Sequence, residues 1–343
     1  MRWFGSKASG AQLTAADSRL QPTPDYGTLG PDSARASARS SARLPRRALQ
    51  ILAVVLGAAS ALVVSSAAGH GILRNVTGGF SSRQNSVVPS DTLSDRELDL
   101  HKPQQQAEIL LERAVGHARG ESESGSATTA RIDARVEGWR GKLKWDSQLG
   151  QLTAVAMNSE DRGVRESAIE VQLAAYGVAK SGSSVDALVR QAESNNHAQK
   201  VWALWTLGLM GNRGIESDRV VKVLTVHLSA RSGDEDSRRW AVEALALVGT
   251  APTIVPLLDA MRNDPSALVR ERAACSLGQS GMLSHERRMI AVPQLIRYSS
   301  DPALDAQTHA SAFQALSDIT GQRLPNDSAA WQSWYEGRGA GER

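Results

Sequence analysis

The stretch Asn263-Asp-Pro-Ser-Ala-Leu-Val-Arg-Glu-Arg-Ala-Ala-Cys-Ser-Leu-Gly-Gln-Ser-Gly281 decides the fold. Pro265 is tolerated at the first position of a helix, so a helix is predicted to begin beside it. Ala273 and Leu277 lie one turn apart and form a narrow apolar stripe on one face of that helix. Gly281 is predicted to end the helix by adopting the left-handed conformation. The stretch is therefore predicted to be a capped amphipathic helix.

Four other stretches of the chain have the same pattern. They cover residues 164–177, 199–211, 237–249 and 308–321, and all of the stretches end in glycine. Neighbouring terminal glycines are separated by 34, 38, 32 and 40 residues. A shorter amphipathic segment and a polar turn precede each stretch. A pair of helices repeated at such a spacing is typical of an α-solenoid, in which each helical hairpin buries its apolar side against the next.

The predicted fold class is therefore all-α, an α-solenoid of about five helical hairpins over residues 147–337. Small residues such as Ala273 allow neighbouring hairpins to approach closely, and leucines fill the layer between them. Two further helical segments are predicted within residues 104–146. Their apolar spacing is compatible with a cap on the solenoid or with a projecting stalk.

A Trp-containing helix is predicted to close the C-terminal end of the solenoid. Trp331, Trp334 and Tyr335 share one helical face, and Asn326 or Asp327 can cap the helix. The last hairpin of a solenoid exposes apolar surface that must be covered, so these aromatic residues are predicted to cover it. Residues 338–343 are predicted to be a disordered tail.

The N-terminal part of the chain is predicted to anchor the protein in a membrane. Residues 48–68 contain no charged residue, and at about 1.5 Å per residue they reach across a hydrocarbon core of roughly 30 Å. Residues 1–47 are predicted to be a disordered basic tail, and residues 69–103 a polar linker. The sequence therefore predicts one transmembrane helix over residues 48–68.

The arginines around this segment predict its orientation. Arg43, Arg46 and Arg47 precede it directly, which places the N-terminus in the cytoplasm and the repeats outside it, in a bacterial periplasm or beyond. The small residues that end at Ala68 leave an alternative, in which a signal peptidase cleaves there and the protein is secreted.

The distribution of charge bears on the partner. The whole chain has a net charge of +3, but residues 1–48 alone carry eight basic residues against three acidic ones. Residues 150–336 carry 18 basic residues against 21 acidic ones. A nucleic-acid-binding groove requires a basic patch on the folded part, so nucleic acid is not the predicted partner.

No catalytic constellation is apparent in the sequence. Cys275 is the only cysteine, so an intrachain disulfide is impossible, and its position within a helix predicts a small buried side chain. The seven histidines are scattered without zinc-ligand spacing, and no phosphate-binding glycine loop is present. The sequence therefore predicts a protein that is not an enzyme, with no metal and no cofactor.

The stretch 263–281 resembles the HEAT-like repeat that is named after the phycobilisome lyases. That pattern has Asp or Asn, then Val-Arg, two alanines a turn later, Leu-Gly and a closing Gly. The Val-Arg pair occurs at Val164-Arg165 and at Val269-Arg270, whereas the stretches that begin at 199, 237 and 308 depart from it. The resemblance extends over about residues 147–336. It implies a HEAT-like fold, in which the second helix of each hairpin lines a concave face.

The residues of the second helices that lie outside the apolar stripe are the candidates for partner binding. They are Glu166, Glu170, Lys200, Trp202, Trp205, Arg239, Glu243, Glu271 and Arg272. Trp202 and Trp205 do not both fit a narrow stripe. Either one of them is an exposed anchor for a partner, since Trp is enriched at binding hot spots, or both are buried between neighbouring units.

The sequence thus favours a non-catalytic, membrane-tethered scaffold that binds a protein or peptide through its concave face. Two alternatives come from the family resemblance. One is an enzyme or accessory factor similar to the bilin lyases, and the other is a nucleic-acid-binding HEAT-like protein. The charge of the repeats disfavours the second alternative.

Overall fold

A computed structural model of the protein describes residues 93–118, 125–229 and 234–341. Over these ranges the regular secondary structure is helical and contains no strand, which confirms the predicted all-α class. The predicted basic tail 1–47, the predicted transmembrane helix 48–68 and linker residues 69–92 lie outside the described residues. Among the helices that are described, none is both long enough and apolar enough to cross a membrane.

The described helices fall into a short N-terminal set, a series of hairpins and a terminal helix. In chain order they are α1 (Asp95–Asp99), α2 (Pro103–Ala118), α3 (Gly125–Trp139), α4 (Ser147–Met157), α5 (Arg162–Tyr176), α6 (Gly182–Ala192), α7 (His197–Asn212), α8 (Ser217–Leu228), α9 (Glu235–Val248), α10 (Ile254–Asn263), α11 (Ala267–Gln279), α12 (His285–Met289), α13 (Val292–Tyr298), α14 (Ala306–Thr320) and α15 (Ser328–Gly341). A single 3₁₀ turn, Ala251–Thr253, leads into α10.

The predicted second helices are α5, α7, α9, α11 and α14. Helices α5, α7, α9 and α14 begin two residues before the stretches that predicted them, whereas α11 begins at Ala267, two residues after the predicted start at Pro265. The cause is a polar residue in front of each helix, whose side-chain oxygen accepts a hydrogen bond from the backbone N–H of the first turn. These N-cap residues are Asp161, Asn196, Asp234, Ser266 and Asp305.

The predicted glycine caps are confirmed at three of the repeat ends and are wrong at two. Gly177, Gly249 and Gly321 end their helices with φ values of 71°, 65° and 71°, in the left-handed region. Gly211 lies inside α7, where a Cβ atom would come within 2.8 Å of Cγ2 of Val248. Glycine is therefore required there by the neighbouring helix and not by a turn.

Gly281 also departs from the predicted cap. The helix α11 ends at Gln279 with Ser280 as its C-cap residue, and Gly281 has no positive φ. The Ser280 hydroxyl donates a hydrogen bond of 2.9 Å to the carbonyl of Ala246 in α9. This contact with the adjacent helix ends α11 before the glycine is reached.

The hairpins from α6 to α14 stack in register, and together with α15 they are called the C-terminal lobe (residues 182–341). The second helices α7, α9, α11 and α14 pack side by side in one layer, and α6, α8, α10 and α13 cover one side of it. Within this layer the helices run parallel: Gly208 of α7 faces Ala244 of α9, and Gly211 faces Val248. This arrangement fits a helical solenoid of HEAT-like hairpins.

The helices α1 to α5 form a second unit, the N-terminal lobe (residues 93–176). The pair α2 and α3 packs against α4 and α5, so these two helices lie on the adjoining hairpin instead of projecting from it. The short helix α1 corrects the predicted linker 69–103. Ser94 forms a capping box with Glu97, and Asp95 pairs with Arg131 of α3 at 2.8 Å. The capping box, the ion pair and the fully buried side chain of Leu98 hold this helical turn in place.

The stack changes direction between the two lobes. The ring of Tyr176, at the C-terminal end of α5, lies 5.9 Å from that of Trp202 in the N-terminal half of α7. Glu166, near the start of α5, pairs at 3.2 Å with Arg213 at the end of α7. The helices α5 and α7 therefore run in roughly opposite directions, whereas α7 and α9 are parallel. The repeats do not form one uninterrupted stack.

The terminal helix α15 packs against α13 and covers the last hairpin. Trp331 is 1 % exposed, and its indole N–H donates a hydrogen bond of 3.1 Å to the carbonyl of Pro325. The predicted disordered tail 338–343 is wrong for residues 338–341, because α15 continues to Gly341. The guanidinium of Arg338 lies 5.2 Å from the ring centre of Trp334, one turn earlier, and this contact supports the extra turn.

Candidate interaction surface

The helices α6, α8, α10 and α13 are the first helices of their hairpins. The side of α7, α9, α11 and α14 that faces away from them is called the inner face. Most of the residues predicted to bind a partner lie on it or against it. Its α7 end contacts α5 of the N-terminal lobe, and its α11–α14 end is open to solvent. The inner face therefore has a covered part and an open part, and the predicted residues divide between them.

Aromatic side chains dominate the covered part. The rings of Trp205 and Trp240 meet edge to face at 5.8 Å, and Trp202 contacts Tyr176 of α5, which in turn lies 5.4 Å from Trp145. Trp202 is 7 % exposed and Trp205 is half-buried. Of the two interpretations of these tryptophans, the structure shows mostly covered side chains that join α7 to its neighbours. These five residues are called the aromatic cluster.

The aromatic cluster contains polar atoms that are poorly satisfied. Burial raises the pKa of the Tyr176 hydroxyl, which accepts a hydrogen bond of 2.9 Å from Nε2 of Gln172. The buried indole N–H groups of Trp145, Trp202 and Trp240 have no acceptor among the described residues. Each buried donor without a partner costs about 1–3 kcal/mol. The packing of the aromatic cluster is therefore less favourable than its buried area suggests.

Charged residues join the two lobes beside the aromatic cluster. Arg213 donates from Nε to Oε1 of Glu170 at 2.6 Å, and its Nη1 lies 3.2 Å from Glu166. Lys180, in the connection between the lobes, lies 2.9 Å from the other oxygen of Glu170. The side chain of Glu170 is only 4 % exposed, and the two cations offset the cost of burying it. A further hydrogen bond of 2.5 Å runs from Nη2 of Arg165 to the carbonyl of Gly281.

The pKa values in this group follow from burial and from neighbouring charges. Burial alone would lower the pKa of the Arg213 guanidinium, but the hydrogen bond and charge of Glu170 raise it. Burial would likewise raise the pKa of Glu166, but Arg162 and Arg213 lower it. The pKa of Asp133 on α3 is raised by burial and by the negative charge of Glu170. Both charges of the Glu166–Arg213 pair are therefore stable near neutral pH.

The open part of the inner face lies on α11 and α14 and reaches the start of α9. Glu243 is buried and forms an ion pair with Arg272 of α11. Burial would lower the pKa of Arg272, but the carboxylate of Glu243 raises it. Glu271 is exposed and accepts a hydrogen bond of 3.2 Å from Gln307 of α14. Arg239 is half-buried, lying 2.5 Å from Asp236.

Leu268 adds an apolar side chain to the open part. It is 50 % exposed and lies one turn before Arg272, on the same side of α11. Cys275 also lies on this side of α11; it is half-buried, and burial raises the pKa of its thiol. An exposed leucine between charges of both signs is suited to a polypeptide ligand.

Lys200 is separated from the other predicted residues. It lies half-buried near the start of α7, close to His227 of the first helix α8. Burial lowers the pKa of the His227 imidazole, and the positive charge of Lys200 acts in the same direction. Lys200 therefore interacts with the outer layer of the C-terminal lobe instead of joining the inner face.

Several residues that build this surface were missed from the sequence, above all Arg213, Tyr176 and Arg165. Arg213 follows Gly211, which the repeat pattern assigned to a helix end, and Tyr176 precedes the cap Gly177. No local pattern indicates that these residues meet, because Arg165 and Gly281 are 116 residues apart. Among the described residues, no cluster of three or more His, Cys, Asp or Glu side chains could hold a metal ion.

Comparison with known protein families supports the fold. Residues 185–278 match the family of HEAT repeats, and this range runs from α6 to α11 across three stacked hairpins. No curated protein sequence matches the chain. Together with the all-helical structure, the match supports a HEAT-like repeat protein.

Proposed function

We propose that this protein is a non-catalytic scaffold that binds a protein or peptide through the open part of the inner face. The observation that carries the proposal is the juxtaposition of Leu268, Glu271 and Arg272 on α11, beside Arg239 of α9. A half-exposed apolar side chain surrounded by both signs of charge provides contact area and orientation for a polypeptide. Stacked repeats present such surfaces over a long distance.

The charges support a protein partner over a nucleic acid. On the open part, Arg272 is paired with Glu243, and Arg239 with Asp236. Pairing of this kind removes the excess positive charge that phosphate groups require. The same pairing gives these charged side chains a structural role, and for this reason we propose binding without catalysis.

We also propose that residues 48–68 tether the scaffold to a membrane, with the repeats on the extracytoplasmic side. The support is the uncharged run of residues with arginines directly before it. Fractionation of cells that produce the whole chain, with and without residues 48–68, tests the tether. We expect the deletion to move the protein from the membrane to the soluble fraction. Equal membrane content for both proteins would contradict the tether.

The binding surface is tested by capture of partners with the whole chain, followed by mass spectrometry of the captured proteins. We expect Arg239→Glu and Leu268→Glu to reduce recovery of the main partner by about tenfold, because each introduces an unpaired charge at the contact. The matched controls lie on the first helix α8, where Lys222 and Val226 are both exposed. Lys222→Glu and Val226→Glu should leave recovery unchanged. Equal recovery for all four variants would contradict this surface.

A further inference from the structure

The contact between the lobes is built differently from the contacts between stacked hairpins. Within the C-terminal lobe the backbones approach closely: a Cβ atom on Gly208 would lie 2.8 Å from Cα of Ala244. Between the lobes, long side chains such as those of Tyr176, Trp202 and Arg213 span the gap between α5 and α7. A contact made by side-chain ends can open without repacking the backbones on either side.

The contact is also polar on both of its sides. On α5, Nε of Arg165 and Oε1 of Gln172 are buried without a hydrogen-bond partner among the described residues. On the C-terminal lobe the same is true of the indole nitrogen of Trp202, whose ring lies against Tyr176. Buried polar atoms without partners regain hydrogen bonds when a contact opens or when a better ligand replaces it.

The side of this contact that belongs to the C-terminal lobe has a definite chemistry. Trp202 and Trp205 of α7 and Trp240 of α9 form an aromatic wall, and Arg213 lies at the C-terminal end of α7. The helix α5 meets this surface with Tyr176 against the wall and with two glutamates, one turn apart, on Arg213. The matching ligand is therefore an amphipathic helix with two carboxylates one turn apart, followed by an aromatic residue towards its C-terminus.

We propose that the aromatic wall and Arg213 form a second binding surface of the scaffold, for such a helix in a partner protein. The helix α5 occupies this surface within the chain, and the partner's helix displaces it. The lobes then separate at residues 177–181, the connection between α5 and α6, where Gly177 has a φ of 71° and Lys180 reaches back to Glu170. This inference rests on the proposed function in that the scaffold binds proteins.

The test opens the contact from the side of α5, so that the proposed surface stays intact. In the whole chain, Glu166→Arg places a positive charge against Arg213. The probe is a labelled synthetic peptide with the sequence of residues 161–177. We expect it to bind Glu166→Arg at least about tenfold more tightly than the wild type, because the internal competitor has been weakened. The matched control is Glu112→Arg, at an exposed position of α2, which should bind like the wild type.

Two further measurements define the ligand and guard against misfolding. A peptide in which both glutamates are replaced by glutamine should bind the opened protein several-fold more weakly, because Arg213 loses its partners. Hydrogen exchange in α7 and α9 should increase in Glu166→Arg and decrease again when the first peptide is added. If circular dichroism shows that Glu166→Arg has lost helix, the variant Arg165→Gln is used in its place. Arg165→Gln opens the contact by removing the hydrogen bond to the carbonyl of Gly281.

Equal affinity of the peptide for the wild type and for both opened variants would overturn the proposal. Equal affinity of the opened protein for the peptide with two glutamates and for the peptide with two glutamines would also overturn it. Neither result depends on Leu268, and Leu268→Glu lies outside the aromatic wall, whereas the guanidinium of Arg239 lies 5.6 Å from the ring centre of Trp240. A failure of this inference is therefore distinguishable from a failure of the proposed function.

Discussion

At the scale of single residues, two helical glycines have opposite surroundings. A Cβ atom on Gly208 would lie 2.8 Å from Cα of Ala244, whereas one on Gly138 of α3 would have no atom within 4 Å. We expect Gly208→Ala to lower the free energy of unfolding by about 1–3 kcal/mol, because α7 and α9 must move apart. Gly138→Ala should raise it by up to about 1 kcal/mol, because alanine favours the helix. Urea unfolding followed by circular dichroism measures both effects.

Gly138→Ala is the matched control for Gly208→Ala, since the two substitutions add the same methyl group to a helix. Similar changes in the free energy of unfolding for both variants would show that α7 and α9 are not in backbone contact. That result would also remove the basis for distinguishing the contact within the C-terminal lobe from the contact between the lobes.

A second residue-scale prediction concerns the buried ion pair between α9 and the turn before α11. Arg238 donates from Nε to Asp264 at 2.8 Å, and the Asp264 side chain is 1 % exposed. Asp264→Asn removes the buried negative charge that Arg238 pairs with, so we expect a loss of about 3–5 kcal/mol in the free energy of unfolding. Thermal unfolding of the purified protein measures the loss.

The exposed pair Arg219–Asp186 is the control for this prediction. Its atoms lie 2.6 Å apart, but both side chains are almost half exposed. Asp186→Asn should therefore cost less than about 1 kcal/mol, although the geometry of the pair is similar. Comparable losses from Asp264→Asn and Asp186→Asn would mean that burial does not determine the strength of these pairs.

At the scale of elements, α15 acts as a cover for the last hairpin. Its residue Trp331 is buried, whereas Trp334 is half-buried and meets Trp331 edge to face at 5.9 Å. We expect Trp331→Ala to lower the free energy of unfolding by about 3–5 kcal/mol, because it leaves a cavity between α15 and α13. Trp334→Ala should have a clearly smaller effect. Chemical unfolding distinguishes them, and equal losses would contradict the covering role of Trp331.

The elements themselves were largely predictable from the sequence. The apolar stripes located all of the second helices, because a period of 3.6 residues is a local property of the chain. Four of the predicted starts were two residues late, and that of α11 was early, because the N-cap residues, such as Asp161 and Ser266, were not counted. The helix end predicted at Gly211 was wrong. A glycine that is required by the close approach of Val248 cannot be distinguished in sequence from a glycine that ends a helix.

At the scale of the whole molecule, closure of the lobes is expected to depend on pH through Glu166. Burial would raise its pKa, but Arg162 and Arg213 hold the pKa below its ordinary value of 4.5. The stabilisation from its charge is complete above pH 4.5 and is lost as the pH falls through the lowered pKa. We expect the lobes to loosen in this acidic range, with a red shift of the tryptophan emission as Trp202 meets water.

The variant Glu166→Gln tests this dependence, because it removes the titrating group and keeps the shape of the side chain. Its emission at neutral pH should already be shifted, and acidification should change it less than in the wild type. Protonation of Asp133 has the opposite effect on the contact between the lobes. Because its pKa is raised, Asp133 takes up a proton early as the pH falls, and this relieves its repulsion from Glu170. The same acid-induced shift in Glu166→Gln and in the wild type would contradict the role of Glu166.

The candidate site could be predicted only in part. Arg239, Glu271 and Arg272 lie on or beside the open part of the inner face. Their positions in the second helices had predicted this location. Trp202 and Glu166 lie instead in the contact between the lobes. The repeat pattern placed both residues outside the apolar stripe, but what covers them depends on how one lobe turns against the other.

The sequence by itself determined the helices, three of the glycine caps and the HEAT-like hairpins, since these depend on residues a few positions apart. Only the tertiary structure decided that α5 lies against α7 in the opposite direction and covers part of the inner face. That arrangement depends on contacts such as the one between Arg165 and Gly281, which no local period encodes. Local patterns determine which face of a helix is apolar, whereas the partner of that face is determined by the packing of the whole chain.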